Sequence, residues 1–467
     1  MERYDLIVLG GGAAAFAAAT EADRRNLRTV IINAGLPIGG TCVNVGCVPS
    51  KHLLALGKER YHPARPNFAG VGATTPSFDF TRAMAEKDAL VTALRQQNYQ
   101  EVLDSFRQVD YLEGRGKLLD AHTVEAAGKR LTGDRILIAT GSSTKIPPFK
   151  GLAETGYLTH IEALALERLP ASLVIFGAGF LALEFAQIFS RMGTRVTLVA
   201  RAPRILRIQE PEISLALRNH LEAEGIEIVT ESGVREVGKT RDGKQVTLTT
   251  PVGERRLEAE EIMVATGVRG NIDGLGLEQV GVAVEQGEQI AVNERLQTSV
   301  PHIYAAGDVA GRKQLETVAA REGKIAVENA FGDSGKTLDL HSVPYAVFTD
   351  PEVASVGLTE ARYMAIHGAC SCRTISMDRI PRAVAVKDTR GLLKMVAHHE
   401  TGQVMGVHIL APNASEMIHE AVLAVKHGLT VDDLIDTVHV FPTYSEAIKI
   451  AAQAFRRDIS TMSCCVE

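Results

Sequence analysis

Short unbroken apolar runs punctuate the first two thirds of this chain. Asp5-Leu-Ile-Val-Leu9, Arg28-Thr-Val-Ile-Ile-Asn33, Leu173-Val-Ile-Phe176 and Arg195-Val-Thr-Leu-Val-Ala200 each read as a strand buried on both faces of a parallel sheet. Between the first two lies an alanine-rich helical stretch, and apolar residues at helical spacing from Asp79 to Leu103 predict a long helix. Past about residue 337 the pattern changes. Ala346-Val-Phe and Leu392-Leu-Lys-Met-Val read as strands, followed by helices around 415–427 and 445–455. The repeated strand–helix–strand order predicts an α/β chain with two Rossmann-like dinucleotide-binding domains and a separate C-terminal α+β domain.

Glycines mark the turns of both units. Gly10-x-Gly12-x-x-Ala15 follows the first strand. The first glycine permits the tight turn, the second lets backbone approach a pyrophosphate, and Ala15 allows close helix–strand packing. Backbone N–H groups at the helix start then face the phosphates. An acid is expected at the end of the second strand to bind ribose hydroxyls, but Asn33 stands there, an acceptor without charge assistance. The same grammar returns at Gly177-x-Gly179-x-x-Ala182-x-Glu184. Its second strand runs into Arg201, with Arg204 and Arg207 close behind. Basic residues there favour a 2′-phosphate, hence NADPH. Two such folds imply two nucleotides and point to a flavin enzyme fed by a nicotinamide. Three later turns, Ile138-Ala-Thr140-Gly141, Val264-Ala-Thr266-Gly267 and Ile303-Tyr-Ala-Ala-Gly307-Asp308, fit the first nucleotide. Asp308 suits a flavin ribityl hydroxyl or a helix cap.

Composition narrows the function classes. Hydrophobic residues make up 45% and charged residues 23%, as in an ordinary soluble globular protein, and the net charge of −6 offers nothing to nucleic acid or an anionic membrane. No apolar run reaches membrane-spanning length, and the glycine-broken N-terminus reads as strand and helix rather than an export signal. A cytoplasmic protein with reactive or metal-binding thiols is expected from its six cysteines.

One cysteine pair, Cys42 and Cys47, lies in Gly39-Gly40-Thr41-Cys42-Val-Asn-Val-Gly-Cys47-Val-Pro49-Ser-Lys51. Pro49 suits the first turn of a helix, which places Cys47 near an N-terminus that stabilises its thiolate. A second pair, Cys464 and Cys465, stands almost at the C-terminal end, where vicinal thiolates can collect a soft cation. Cys370 and Cys372 read as incidental, with an auxiliary thiol site the alternative.

The motif CVNVGCVPSK, the two glycine fingerprints and AAGDV together resemble the pyridine nucleotide–disulfide oxidoreductases over essentially the whole chain. That resemblance implies a flavin domain in two parts (1–145 and 267–336), an inserted NADPH domain (146–266) and an interface domain (337–467) that makes a homodimer with shared active sites. It implies that Cys47 faces the flavin, that Cys42 exchanges with substrate, and that Lys51 lies near the flavin, paired with Glu184. It also implies FAD contacts at Gly35, Gly40, Thr41, Gly116, Thr140, Gly141 and Val318, and nucleotide contacts at Gly177, Gly179, Ala182, Arg201, Arg207 and Gly267.

The dithiol-directed members of that family carry His-x-His-Pro-Thr followed by a glutamate, the second histidine being the proton-transfer base. This chain reads His439-Val-Phe441-Pro-Thr443-Tyr-Ser-Glu446, and phenylalanine carries no proton. Phe441 with the Ser463-Cys464-Cys465 tail resembles the family members that reduce Hg(II). This second resemblance implies NADPH-dependent reduction of Hg(II) to Hg(0) in mercury detoxification. Cys42 and Cys47 would hold the ion, Tyr99 would line that inner site, and Cys464 and Cys465 of the partner subunit would deliver Hg(II) from thiol complexes. Many such members carry an additional N-terminal metal-binding module, which is expected to be absent or removed here. A disulfide reductase with a Cys-Cys relay, or a thiol protein that only buffers metal, remain the alternatives. The first should keep the histidine, and the second leaves both nucleotide folds without purpose.

Overall fold

A computed structural model describes residues 2–332, 334–369 and 371–459. The first fold is a seven-stranded sheet. Its parallel part runs Val109–Glu113, Thr29–Asn33, Glu2–Leu9 and Lys129–Ile138, with Ile303–Ala305 also parallel to the last. Lys129–Ile138 continues antiparallel into Thr123–Ala126 and Lys117–Leu118. Leu6, Ile7, Val8 and Leu9 are almost wholly buried, because helices cover one face of the strand and the antiparallel ribbon side covers the other.

The second fold repeats the plan. A parallel sheet runs Glu227–Val229, Arg195–Val199, Ser172–Phe176, Glu261–Val264, and an antiparallel meander follows the same logic through Gly233–Lys239, Lys244–Thr250 and Gly253–Ala259. The chain leaves and re-enters the first fold through Ser142–Thr144 and Val268–Gly270, which pair antiparallel. The third unit is a five-stranded antiparallel sheet, Tyr345–Val347, Glu352–Gly357, Val404–Ala411, Leu392–Ala397 and Ser371–Ser376. Helices Ala414–His427 and Glu446–Gln453 cover one face.

The expected long helix forms from Phe80 to Ser105, with Asp79 accepting from the Arg82 N–H as its N-cap. It widens to a π turn over Gln96–Gln100, the segment that carries Tyr99. The redox segment forms a short helix Gly40–Val45 and a longer one, Cys47–Tyr61. Among the described residues, no helix is long and apolar enough to cross a membrane.

Candidate active site

Both glycine loops adopt conformations that a side chain would spoil. Gly10 has φ +125° and Gly177 φ +131°, and a Cβ on either would be driven into a carbonyl oxygen, Ala139's for Gly10 and Ala265's for Gly177. The two turns Ala139-Thr140-Gly141 and Ala265-Thr266-Gly267 thus occupy equivalent places, each closing over the first glycine of its own fold. The sequence reading gave all three small-residue turns to the first nucleotide. Val264–Gly267 instead ends a strand of the second sheet, because its register is set by pairing with Ser172–Phe176. Gly12 and Gly179 begin their helices with no side-chain cap, leaving N–H groups for an anion. A Cβ on Gly179 would meet nothing within 4 Å. These glycine cradles and bare helix starts fit a dinucleotide at each fold.

Other residues expected at the flavin converge on the first loop. Gly40, at φ +64°, lies so close to Gly12 that its Cβ would stand 2.7 Å from the Gly12 Cα, which docks the redox segment on the nucleotide loop. Thr41 follows in the same short helix, Gly35 turns at φ +89°, and Gly116 packs on Leu9 and Ile32. Thr140 is locked by reciprocal bonds with Asn271, at 2.8 and 2.9 Å. Asp308 accepts from Ser142 at 2.6 Å, and burial raises its carboxyl pKa while that bond opposes the rise. Val318 is buried on the helix Glu316–Ala330, and Ala15 is buried where its helix crosses that one. Asn33 is buried and donates its amide to the Leu36 carbonyl and the Tyr111 hydroxyl. In the second fold Ala182 is fully buried. Arg201 and Arg207 are exposed, whereas Arg204 turns inward and donates to the carbonyls of Arg207 and Gln209.

The cysteines stand as free thiols, Cys42 half-buried and Cys47 exposed at the first turn of its helix. The Cys42 thiol donates to Cys47, which lowers the Cys47 pKa, aided by the Lys51 charge and its own backbone N–H against the cost of burial. The same bond, then burial, raises Cys42. The pairing thus favours the thiolate form of Cys47 over that of Cys42. Between them Gly46 is forced by crowding, since its Cβ would stand 2.9 Å from the Thr41 carbonyl oxygen. Asn44 braces the segment by donating to the carbonyls of Pro37, Ile38 and Gly40.

Lys51 pairs with Glu184 at 2.7 Å, as expected, although they belong to different folds. Glu184 is buried and its other oxygen accepts from the Phe348 N–H at 3.0 Å, while the Lys51 ammonium lies 4.7 Å from the Phe348 ring centre. Tyr99 reaches the cysteines from the π turn, edge-on to Phe16 at 5.0 Å. Its hydroxyl donates to Glu316 at 3.5 Å, and burial and that carboxylate raise its pKa.

Glu316, Asn44, Phe348 and Asn271 are the residues that sequence reasoning missed. Glu316 reads in sequence as an ordinary acid in a helix first turn. Its carboxyl is pushed upward by burial, and the hydrogen bond from Tyr99 opposes the rise. Asn44 carried a signal, lying inside the cysteine motif.

In the interface domain, Phe441 is 49% exposed, beside Val438 and Val440 at 86% and 77%. His439 is tied to Glu420 at 2.8 Å and to the Thr437 carbonyl, so it does not replace the missing base. Glu446 accepts from the Thr443 N–H at 3.1 Å. Cys372 packs beside Leu358, Tyr363 and Val396. Cys370, Cys464 and Cys465 lie outside the described residues. Among those described, no group of three or more His, Cys, Asp or Glu is arranged to hold a metal ion.

The sequence model of the pyridine nucleotide-disulphide oxidoreductases matches residues 4–323, and that of their dimerisation domain matches residues 343–452. The chain belongs to this family and is a flavin- and pyridine-nucleotide-dependent oxidoreductase with a dimerisation domain. It is similar to the mercuric reductase of Streptomyces lividans, 41% identical over 99% of this chain and 98% of that one. The mercuric reductase of Lysinibacillus sphaericus is 39% identical over 99% of this chain and 85% of its own. A solved structure, the Cu(II) complex of the HOCl-induced flavoprotein disulfide reductase RclA from Escherichia coli, superposes with a TM-score of 0.87 at 26% identity, covering 97% of this chain and 100% of that one.

Proposed function

We propose that this chain reduces thiol-bound Hg(II) to Hg(0) at the expense of NADPH. The observation that carries the reading is an intact Cys42/Cys47 pair in a chain with Phe441 where dithiol exchange needs a base. The similarity to mercuric reductases supports it. Bound FAD supplies a two-electron relay between the nicotinamide and the cysteine sulfurs. The first glycine loop, with Thr140, Gly141 and Asp308, would hold FAD. The second loop would hold the nicotinamide nucleotide, with Arg201 and Arg207 on its 2′-phosphate. Lys51, held by Glu184, presents positive charge beside Cys47 and the electron-rich partner it faces.

Hg(II) would arrive as a dithiolate. Cys42 and Cys47 replace its two ligands, each exchange making one Hg–S bond as another breaks, so no bare cation forms. Two electrons then leave two thiolates and Hg(0). The exposed apolar residues 438, 440 and 441 support burial against a second copy. We infer a homodimer in which Cys464 and Cys465 of the partner subunit deliver the ion, working in the cytoplasm. The antiparallel crossing pair supports division of the chain at 145 and 266, and we infer a further boundary at 336.

The purified protein should be yellow and oxidise NADPH only when Hg(II) is added, with Hg(0) released to the gas phase. Cu(II) belongs in the same assay, since the solved relative is a Cu(II) complex. Comparable turnover of oxidised glutathione or lipoamide, without Hg(II) dependence, would overturn the reading. Delivery between subunits is tested by mixing Cys42→Ala/Cys47→Ala chains with Cys464→Ala/Cys465→Ala chains. Activity toward a bulky Hg(II)–thiol complex should reappear in mixed dimers, and none should appear if delivery is within one chain.

A further inference from the structure

The five-stranded sheet of the interface domain carries a row of buried polar residues on the face away from its helices. Ser355, His408 and Lys394 are cross-strand partners on three adjacent strands. Each is at most 3% exposed, whereas an antiparallel sheet covered on one side ordinarily gives such positions to water. Here they receive the end of the arginine loop, residues 200–210, which joins the strand Arg195–Val199 to the helix Pro211–Ala223. Gln209 donates to the Ser355 hydroxyl at 2.5 Å, Ser355 donates to His408 Nδ1 at 3.1 Å, and His408 Nε2 donates to the Leu358 carbonyl at 3.1 Å. Lys394 spans three carboxylates, Glu210 at 3.1 Å, Glu212 at 2.9 Å and Glu360 at 2.6 Å. The other oxygen of Glu210 accepts from the Glu360 N–H at 2.6 Å.

The loop has a strained turn for this network to hold. Leu206 has φ +42°, a conformation that a bulky side chain keeps only where its surroundings impose it. Its N–H donates to the Ala178 carbonyl of the second glycine loop at 2.9 Å, and its carbonyl accepts from the Gln209 N–H at 2.8 Å. Arg207 lies inside that span, between the strained residue and Gln209, so the direction it takes depends on both ends. We propose that Ser355, His408 and Lys394 are positioning residues for nucleotide choice, holding the arginine loop from another domain so that Arg207 and Arg201 meet the 2′-phosphate, a reading that rests on the arginine assignment proposed above. The pyrophosphate is left to backbone N–H groups at the start of the helix after Gly179, so slackening the loop costs NADPH more than NADH, which lacks the 2′-phosphate. Lys394 also offsets three carboxylates at the loop's end that would otherwise repel that phosphate.

Ser355→Ala removes the acceptor of the Gln209 bond, and Gln209→Leu removes its donor at similar volume. The readout is kred/Kd for flavin reduction by NADPH divided by that for NADH, measured in stopped flow, which needs no electron acceptor. Each variant should lower this ratio about tenfold, with the NADH value within about twofold of wild type. The double variant should lose no more than the larger single, because the same bond is broken either way. A ratio within about threefold of wild type, a parallel fall for both nucleotides, or additive losses in the double variant overturns the proposal. A second arm needs no nucleotide. Tryptic cleavage of the native protein after Arg201, Arg204 or Arg207, followed by mass spectrometry, should be at least about fivefold faster in Ser355→Ala, with cleavage elsewhere unchanged. Unchanged cleavage in the loop counts against the anchoring. If wild-type protein does not prefer NADPH, or Arg201→Ala/Arg207→Ala keeps the preference, the arginine assignment fails on its own, and the digestion still decides whether the interface domain holds the loop.

Discussion

In the first dinucleotide fold the strand Thr29–Asn33 ends on a buried amide that is spent on the Leu36 carbonyl and Tyr111. In the second, Arg195–Val199 runs out to exposed Arg201 and Arg207. The scaffolds are otherwise alike, down to the carbonyl that closes over the first glycine. The first fold carries an insertion that the second lacks, the paired helices with Cys42 and Cys47, docked on it through Gly40 and Gly12. On the function proposed above, one fold keeps a cofactor and faces a reaction, and the other takes up and releases a phosphorylated nucleotide. Conserving the backbone and changing what is attached to it is enough to divide the work.

The sharpest way to break the comparison is to strip the insertion. Cys47→Ala should lower Hg(II)-dependent NADPH oxidation at least about a thousandfold, roughly 4 kcal/mol in the barrier, while both nucleotides still bind. Steady-state NADPH oxidation with Hg(II), together with the flavin spectrum, measures this. Next come the paired glycines. Gly10→Ala and Gly177→Ala each force a Cβ against a carbonyl at positive φ, costing roughly 2–4 kcal/mol locally. The first should yield protein with little flavin. The second should stay yellow but resist reduction by NADPH. The opposite pattern would mean that the folds have been assigned the wrong nucleotides.

Replacing Arg201 and Arg207 together with Ala should erase about 2–3 kcal/mol of preference for NADPH over NADH, as two charge-assisted contacts would. The kcat/KM ratio for the two nucleotides reads it, and equal use of both by wild type would remove the distinction between the strand ends. Lys51→Met, which breaks the bridge between the folds, should slow flavin reduction about tenfold in stopped flow with flavin retained. The smallest effect is on protonation. Because Cys47 is held below the ordinary thiol range chiefly by the Cys42 hydrogen bond, its thiolate should persist to lower pH in the reduced wild type than in Cys42→Ala. Titration of thiolate ultraviolet absorbance should show the variant's midpoint moved upward.

What was legible in the sequence follows from how local the requirement is. Gly10, Gly12, Gly177 and Gly179 announced themselves because a tight turn and a close phosphate demand a missing Cβ within a few residues. Gly46 fell inside a motif read for its cysteines, and its reason emerged only when two turns were seen to touch. Arg204 looked like its neighbours Arg201 and Arg207, yet it faces inward, since orientation depends on the loop and not on residue type. The turn at Val264–Gly267 ends a strand of the second sheet and not the first, which the sequence could not reveal because three similar turns cannot be sorted without knowing which strands pair.

By itself, the sequence determined the two nucleotide folds, the redox pair and the loss of a proton carrier at 441, because each depends on residue identity within a short window. The tertiary structure alone decided the ion pair of Lys51 with Glu184, 133 residues apart, and the meeting of Tyr99 with Glu316, 217 apart. Such contacts form only after packing has closed the loops between them. The charge that surrounds Cys42 therefore belongs to the fold and to no single segment of the chain.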